Sequence, residues 1–476
     1  MNISVSSLVK CWQAGQLQQA GLKARKAVQF AMRNHDLVLK NASVLVFDKN
    51  QNAVVKIQTN LGVKDGRISE ISDQVLQGQQ VKDLKGLTIL PGVIDSQVHF
   101  REPGFTHKED LESGTRAALL GGVTSIFEMP NTNPVTTSKE AFQDKLNRAK
   151  NRAHCHYAFY VGGSSDNFEK LNLLEKLPHC SGIKIFLGSS FGTLLVDNDL
   201  LLENILKNGR RRVIVHSEDE ARLQARKHIA VETAHPKAHP IWRDEESALI
   251  STKKVVHLAR KHNRPVHVLH VSSSEEMAFL KDQKDVASVE ILPQYLTLSS
   301  PECYERLGTL AQQNPPIRDK RHMEHLWHAV RTGIVDIIGS DHAPHSLEEK
   351  SKPYPQSPSG VPGVQTLVPL MLSHVAAGKF SLERFVTMVS ENPRKLLGVK
   401  NKGRIEVGYD ADFTVVDLQK SVTIRNQWIV SKCGWTPYDG MNVTGWPVQV
   451  YLKGMLAMSD DEILRPHTGE PVDFES

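Results

Sequence analysis

Short apolar runs alternate with amphipathic stretches between about residue 91 and residue 395. Apolar runs of this length predict buried parallel strands, and the stretches between them predict helices. The candidate strands are 122–126, 182–186, 213–215, 266–269 and 335–338. Repeated strand–helix alternation favours an α/β fold of the (β/α)8 TIM-barrel type over residues 91–395, with a doubly wound open sheet as the alternative.

The two ends of the chain carry a different pattern. Residues 36–90 contain several short β-rich runs and a hairpin signal, Lys-Asp-Gly-Arg, at 64–67. Similar β-rich runs return at 411–417 and 448–452. We therefore predict a small β-sandwich domain built by both chain ends, from residues 36–90 and from 396–476, which also includes a C-terminal tail.

The first 35 residues are basic and contain no acidic side chain. Such N-termini can be organelle transit peptides. The simpler interpretation is a mobile extension, or an over-long translation start, since Met32 directly precedes the first predicted strand. Contact with nucleic acid or a membrane is a third and weaker interpretation.

Composition narrows the class of protein. The 476 residues are 40% hydrophobic and 23% charged, as in ordinary globular enzymes, and the net charge of +5 does not indicate nucleic-acid binding. The five cysteines are widely spaced and form no Cys-x-x-Cys pair, which is typical of reduced thiols in a cytoplasmic protein. No run approaches the roughly 18 apolar residues of a membrane helix. We expect a cytoplasmic protein that binds neither nucleic acid nor membrane.

Chemically reactive side chains fall at or near the ends of the predicted strands. These residues are His99, Lys184, His216, His270 and Asp341. Each alone has an ordinary structural interpretation, as a hydrogen-bonded histidine, a snorkelling lysine or a loop-capping aspartate. Together, at the edge where a β/α barrel carries its active site, they predict a centre for Zn²⁺ or a similar divalent ion.

The lysine in this set needs a chemical explanation, because an ammonium group cannot coordinate a cation. A lysine buried near metals can lose its proton and react with carbon dioxide to form a carbamate. A carbamate has two oxygens and can bridge two ions at the usual separation of roughly 3.5–4 Å. Water activated by the metal would then be the nucleophile, and Asp341 would transfer its proton to the leaving nitrogen.

Four segments of the chain resemble motifs of one enzyme family. Residues 91–104 (PGVIDSQVHFREPG), 129–134 (MPNTNP) and 340–350 (SDHAPHSLEEK) resemble motifs of the dihydroorotases, which belong to the amidohydrolase superfamily. Residues 403–412 (GRIEVGYDAD) resemble the superfamily's return to its β domain. The likeness covers roughly residues 36–460. It implies reversible cyclisation of N-carbamoyl-L-aspartate to L-dihydroorotate in pyrimidine biosynthesis.

The resemblance also implies roles for individual residues. It assigns zinc ligation to His99, Lys184, His216, His270 and Asp341, with Lys184 carboxylated and Asp341 as the general acid and base. The positions that match substrate contacts are Arg101, Asn131, His345 and Asn314, together with Ser190 and Phe191 in a loop that closes over substrate in some members. Family members are commonly homodimers.

Arg101 supports the same substrate by its own chemistry. A guanidinium two residues beyond a metal-ligand histidine can bind a carboxylate through two hydrogen bonds. A salt bridge to Glu102 or Asp110 is the structural alternative. Dihydropyrimidinases and hydantoinases act on rings that lack a carboxylate and do not need this residue, whereas allantoinases share more of the motif and are the nearest enzymatic competitor.

Gln97 departs from the family pattern, which opens with Asp-x-His-x-His. An amide oxygen is a weaker ligand for zinc than an imidazole, so one of the two metal positions should be weakened. Gln97 could bind metal through its oxygen, or one ion could suffice. A third possibility is a non-catalytic relative that supports aspartate transcarbamoylase. The remaining ligands are all present, which favours an active enzyme with one or two zinc ions per subunit.

Overall fold

A computed structural model describes residues 35–188 and 192–475. The predicted basic extension therefore lies outside the described residues, apart from its last residue, His35. The strands in the described part are β1 (His35–Asp48), β2 (Ala53–Lys64), β3 (Arg67–Ser72), β4 (Gly78–Asp83), β5 (Thr88–Pro91), β6 (Val93–Val98), β7 (Val123–Glu128), β8 (His156–Gly162), β9 (Cys180–Phe186), β10 (Val213–His216), β11 (Val266–Val268), β12 (Ala287–Ile291), β13 (Ile337–Ile338), β14 (Phe413–Thr423), β15 (Asn442–Leu452), β16 (Met455–Ser459) and β17 (Glu462–Ile463).

Helices separate the central strands. In the same described ranges they are α1 (Leu111–Leu120), α2 (Lys139–Ala149), α3 (Leu171–Leu174), α4 (Asp199–Lys207), α5 (Glu220–Thr233), α6 (His239–Trp242), α7 (Glu245–Lys261), α8 (Ser274–Leu280), α9 (Pro293–Thr297), α10 (Glu302–Leu307), α11 (Lys320–Thr332), α12 (Leu347–Lys350), α13 (Leu367–Ala376), α14 (Leu382–Val386) and α15 (Asn392–Leu397). A π-helical turn, Thr387–Glu391, joins the last two.

Strands β6 to β13 form one parallel sheet in the order of the sequence. Val98, at the end of β6, bridges in parallel to His342 just after β13, and the amide of His99 donates to the His342 carbonyl at 2.8 Å. These contacts join the first and last strands and exclude an open doubly wound sheet. The predicted TIM-type barrel is confirmed.

The barrel strands are buried on both faces, which explains why the sequence reveals them as continuous apolar runs. All four residues of β10 are buried, for example. Strands β6, β8 and β12 are missing from the predicted set. Polar residues such as Asp95 and Glu290 interrupt the apolar pattern of β6 and β12, whereas β8 contains an uninterrupted apolar run at 157–161. Inside a barrel these polar side chains are buried all the same.

Both chain ends enter a second, mixed sheet. Its strand order is β17-β16-β15-β14-β5-β1-β2-β3, with β4 pairing β1. The two ends meet where β5 pairs antiparallel with β14, Leu90 lying opposite Thr414. The small β domain made by both termini is confirmed. The proposed boundaries at residues 91 and 395 stay predictions.

Two sequence-based expectations concern the environment of the chain. Within the described ranges, none of the helices combines the length and apolar character needed to span a bilayer. The four cysteines in those ranges are buried free thiols, as expected of reduced cysteines: Cys155, Cys180, Cys303 and Cys433.

Candidate metal centre

The carboxyl ends of the barrel strands bring the predicted ligands to one pocket. His99 directly follows β6, Lys184 lies within β9 and His216 ends β10. His270 and Asp341 lie two and three residues beyond the ends of β11 and β13. The residues lining this pocket are Gln97, His99, Arg101, Asn131, Lys184, Phe186, His216, His270, Asn314, Asp341, Ala343, Ser359 and Gly360. Side chains that are far apart in sequence thus converge as the strand-end pattern predicts.

His216 and His270 form the first group. Nδ1 of His216 lies 3.0 Å from Nε2 of His270, while Nε2 of His216 lies 2.9 Å from a carboxylate oxygen of Glu218. Burial lowers the pKa of His216, so the ring is neutral and its single proton belongs on the nitrogen facing Glu218. Nδ1 therefore keeps its lone pair, as a metal ligand must.

A buried ion pair holds this arrangement. Nε of Arg243 donates to the other carboxylate oxygen of Glu218 at 3.0 Å, and both side chains are buried. Burial opposes ionisation of Glu218, but Arg243 and His216 outweigh it and hold the pKa of the carboxyl well below its ordinary value. The imidazole of His216 is thus oriented by a permanent negative charge.

Gln97, His99 and Asp341 form the second group. Oδ1 of Asp341 lies 3.2 Å from Nε2 of His99 and accepts a hydrogen bond of 3.0 Å from Nε2 of Gln97. Nδ1 of His99 lies 2.8 Å from Oδ1 of Asn131. Burial raises the pKa of Asp341, yet its bond with His99 and the nearby cations lower it to about 2. Asp341 is therefore a carboxylate at neutral pH.

Lys184 lines the same pocket as both groups. Its side chain is almost completely buried, and Nζ lies 4.5 Å from the ring centroid of Phe186. Burial lowers the pKa of Lys184 to about 7, so a large fraction of the amine is neutral at physiological pH. A neutral amine is the form that reacts with carbon dioxide.

The side chains as they stand do not complete a metal site without this lysine. Within residues 35–188 and 192–475, no three His, Cys, Asp or Glu side chains are grouped around one ion position. Each of the two groups offers histidine or carboxylate donors, and an anionic group on Lys184 would supply the ligand they lack. The buried Oε1 of Gln97 has no hydrogen-bond partner among the described residues. With a carboxylated Lys184, this donor set fits a divalent ion.

Three residues in this region adopt left-handed backbone conformations although they have side chains. The φ angles are 64° at Arg101, 38° at His270 and 45° at Asp341. Each such residue costs of order 1–3 kcal/mol and persists only where surrounding contacts fix it. Such strain is concentrated at functional sites, which agrees with a pre-organised centre.

Arg101 is half-buried at the edge of the pocket. Its Nε donates to the carbonyl of Pro344 at 3.3 Å, and it forms no ion pair in the described part of the chain. Glu102 pairs instead with Arg152 at 2.8 Å, and Asp110 pairs with Lys432 at 2.5 Å. The alternative of a salt bridge from Arg101 to Glu102 or Asp110 is therefore wrong. Burial lowers the pKa of Arg101 only to about 10, so it remains a cation at neutral pH.

His345 connects Arg101 to another wall of the pocket. Nζ of Lys108 lies 3.1 Å from its Nδ1, and burial with the nearby cations holds the pKa of His345 well below its ordinary value. The neutral ring accepts from Lys108 and donates through Nε2 to the carbonyl of Ser359 at 3.1 Å. Nη2 of Arg101 lies 3.3 Å from the same Nε2. His345 thus touches the residues that line the pocket but is not itself part of the lining.

The other predicted substrate contacts have different outcomes. Asn131 and Asn314 line the pocket, and Oδ1 of Asn314 lies 2.9 Å from Nε2 of His239. Ser190 and Phe191 lie outside the described residues, so their role as a closing loop stays a prediction.

Several residues of the site are absent from the sequence-based set. Glu218 has a weak sequence signal, because it follows His216 by two residues and would be expected near it. Ser359 and Gly360 have none, because they reach the pocket only through the course of a long loop. His239, at the start of α6, has none either and contacts the pocket residue Asn314.

Comparison with known proteins places these features in context. The amidohydrolase family profile matches residues 88–457. The chain is 33% identical to the dihydroorotase of Methanothermobacter thermautotrophicus over 86% of this chain and 93% of that protein. It is 34% identical to the multifunctional protein CAD of Squalus acanthias over 79% of this chain and 15% of that protein. A solved structure, the L-hydantoinase (dihydropyrimidinase) of Arthrobacter aurescens, matches with a TM-score of 0.87 and 28% identity, covering 92% of this chain and 100% of that one.

Proposed function

Because the chain belongs to the amidohydrolase family, and within it to the dihydroorotases, we propose that it interconverts N-carbamoyl-L-aspartate and L-dihydroorotate in pyrimidine biosynthesis. The observation that carries the substrate assignment is Arg101, a cation at the pocket without a carboxylate partner in the described part of the chain. A ring that bears a carboxylate supplies that partner. Hydantoins and dihydropyrimidines do not.

Substrate orientation follows from the residues around Arg101. Its guanidinium would bind the substrate carboxylate, with the side-chain amide of Asn131 as a second contact. His345 lies beside Arg101, with its Nε2 3.3 Å from Nη2 of Arg101, and would limit the position of the guanidinium by packing. The reacting amide would then lie towards Asp341 and Lys184, which line the same pocket.

We propose zinc as the bound ion, held by His216, His270 and carboxylated Lys184. A weaker second position would be formed by His99 and Asp341 with the same lysine. When bound, such an ion polarises the amide carbonyl and makes water a better nucleophile near neutral pH. Gln97 already donates to Asp341, so only its oxygen remains free for a metal. One firmly bound ion per subunit is therefore the composition we expect.

Asp341 is the proposed acid and base. In hydrolysis its carboxylate accepts a proton from the attacking water and passes it to the ring nitrogen as the amide bond breaks. Ring closure runs the other way and releases water. Because closure consumes one proton, acidic pH favours L-dihydroorotate and alkaline pH favours N-carbamoyl-L-aspartate.

The test is an assay in both directions on protein whose metal content has been measured. We expect turnover of L-dihydroorotate and N-carbamoyl-L-aspartate, with the balance shifting towards closure as pH falls. Turnover of allantoin or a hydantoin instead, by metal-replete protein, would contradict the substrate assignment. Absence of any turnover together with a stable complex with aspartate transcarbamoylase would indicate the non-catalytic alternative.

Arg101→Met isolates the carboxylate interaction. A lost hydrogen bond to a charged group costs about 1.5–3 kcal/mol, so KM for L-dihydroorotate should rise roughly 10- to 100-fold while metal content stays unchanged. The matched control is Arg331→Met on the exposed surface of α11, which should leave both quantities unchanged. Loss of metal without a change in KM would make Arg101 a structural residue.

The oligomeric state, the protein partner and the cellular location are further parts of the proposal. We propose a cytoplasmic homodimer, by analogy with the family, that can associate with aspartate transcarbamoylase. The alignment with a short part of a multifunctional protein is compatible with such an association. A sizing experiment with and without purified aspartate transcarbamoylase tests both statements, and a monomer that binds no transcarbamoylase would contradict them.

A further inference from the structure

Lys350 is a buried amine outside the candidate metal centre. It is the last residue of α12 and is only 1% exposed. Its ammonium lies within hydrogen-bonding distance of three main-chain carbonyls, those of Gln312 at 3.0 Å, Pro358 at 2.9 Å and Gly360 at 3.1 Å. In its charged form the amine has three N–H groups, one for each of these carbonyls, so the three acceptors favour that form.

Burying this charge is costly. Burial lowers the pKa of Lys350 to about 7, so charged and neutral forms coexist near neutral pH, and within the described ranges no carboxylate forms an ion pair with it. The carbonyl dipoles and the ring of Trp435, whose centroid lies 5.9 Å from Nζ, are the compensating contacts. An apolar side chain of similar length would avoid the desolvation cost but could not donate hydrogen bonds. The contribution of the lysine is therefore its three hydrogen bonds to main-chain carbonyls.

The three carbonyls belong to two separate segments that both line the metal pocket. One is the 312–314 segment, which ends in Asn314, and the other is the 357–360 segment, which contains Ser359 and Gly360. The amide of Gly360 donates to the carbonyl of Gln312 at 2.9 Å, and Nε2 of Gln312 donates to the carbonyl of Ser357 at 2.9 Å. Lys350 therefore joins two walls of the pocket from behind.

The 357–360 segment also contacts the residues assigned to the substrate carboxylate. The carbonyl of Ser359 accepts the hydrogen bond from His345, and His345 contacts Arg101. Gly360 has a φ of 142°, and a Cβ there would overlap the carbonyl oxygen of Ala343. The segment is thus in close contact with the loop after Asp341, and a shift of either would change the pocket.

We propose that Lys350 is a positioning residue for the substrate, which fixes the 312–314 and 357–360 segments against each other and so sets the place of His345 and Arg101. This inference rests on the proposed function, because it assumes that the pocket binds a carboxylate-bearing ring. Lys350 touches neither the metal ligands nor the proposed substrate position directly.

The test is Lys350→Met, which keeps the length of the side chain and removes its donors. We expect KM for L-dihydroorotate to rise about 10-fold or more, kcat to change less than about threefold, and metal content to stay at the wild-type value. The matched control is Lys352→Met, two residues further on and exposed, which should change none of these. A normal KM in folded Lys350→Met protein would overturn the proposal, as would a fall in metal content with unchanged KM.

A second measurement does not depend on the substrate. Hydrogen–deuterium exchange of folded Lys350→Met protein should be faster in peptides covering 312–316 and 357–363, and unchanged around His216. If Lys350→Met does not fold, Gln312→Leu removes the cross-segment bond to Ser357 and should raise KM in the same direction by a smaller factor. Unchanged exchange in both segments would overturn the proposal. Failure of wild-type protein to turn over L-dihydroorotate would instead refute the proposed function. The exchange measurement would still decide whether Lys350 fixes the two segments against each other.

Discussion

The candidate metal centre consists of two halves. The first, His216 and His270 at β10 and β11, is oriented by the buried Glu218–Arg243 ion pair. The other half, His99 and Asp341 at β6 and β13, is oriented by the neutral amides of Asn131 and Gln97. Both halves lie in one pocket and are similarly buried. They differ in whether a full charge or a dipole fixes the ligand.

This difference indicates which half of the site is more tolerant of substitution. A carboxylate behind a histidine fixes its tautomer and strengthens it as a ligand, whereas an amide fixes geometry without adding charge. Gln97, where the motif resemblance predicts a histidine, lies in the amide-held half. We therefore expect the two halves to differ in metal affinity and in role. The first half would bind the ion, and the second half would transfer protons through Asp341.

The largest effect should come from Asp341→Asn. An amide cannot accept the proton, so kcat should fall by about 10²- to 10⁴-fold in both directions. Because the ion is proposed to depend mainly on His216, His270 and Lys184, metal content should remain close to that of the wild type. Elemental analysis beside the rate assay measures both, with exposed Asp282→Asn as the matched control. Loss of all metal would show that the halves are not separable.

An intermediate effect is expected from Glu218→Gln, which keeps the shape of the side chain and removes its charge. Loss of such an outer contact typically lowers metal affinity 10- to 100-fold. Titration against a chelator measures the affinity, and Glu232→Gln on the exposed side of α5 is the matched control. Equal affinities for wild type and Glu218→Gln would remove the proposed distinction between charge-held and amide-held ligands.

The smallest effect should come from Gln97→His, which introduces the imidazole that the motif resemblance predicts at this position. The bound metal should rise from about one ion towards two per subunit, because the amide-held half gains a stronger ligand. The ratio of metal to protein measures this directly, without reference to activity. If wild-type protein already holds two ions firmly, the amide oxygen of Gln97 is a competent ligand and the asymmetry proposed here is wrong.

The fold was largely predictable from the sequence, for reasons that particular elements illustrate. Strand β10 is an apolar run followed by a histidine, so both its burial and its reactive end are visible in the residues. Strands β6 and β12 are exceptions, because the buried polar residues Asp95 and Glu290 interrupt their apolar runs. Local pattern cannot distinguish a polar residue inside a barrel from one in a loop.

The supporting residues were much less predictable. Lys350 is part of a motif in the sequence, but its partners lie 8, 10 and 38 residues away, and only the loop paths bring them together. Arg243 reaches Glu218 across 25 residues in the same way. Such contacts depend on tertiary geometry and leave no periodic signal.

The sequence by itself determined which reactive side chains lie at or near the carboxyl ends of the barrel strands. Strands buried on both faces appear in the sequence as apolar runs, and the polar residues after them lie at the edge of the barrel that carries the candidate site. Only the tertiary structure decided which atoms of those side chains lack a hydrogen-bond partner among the described residues. Barrel closure brings Gln97 within hydrogen-bonding distance of Asp341, 244 residues away, and leaves the amide oxygen of Gln97 without a partner among the described residues. The direction of a side-chain dipole depends on neighbours from distant strands, and that is a property of the closed barrel.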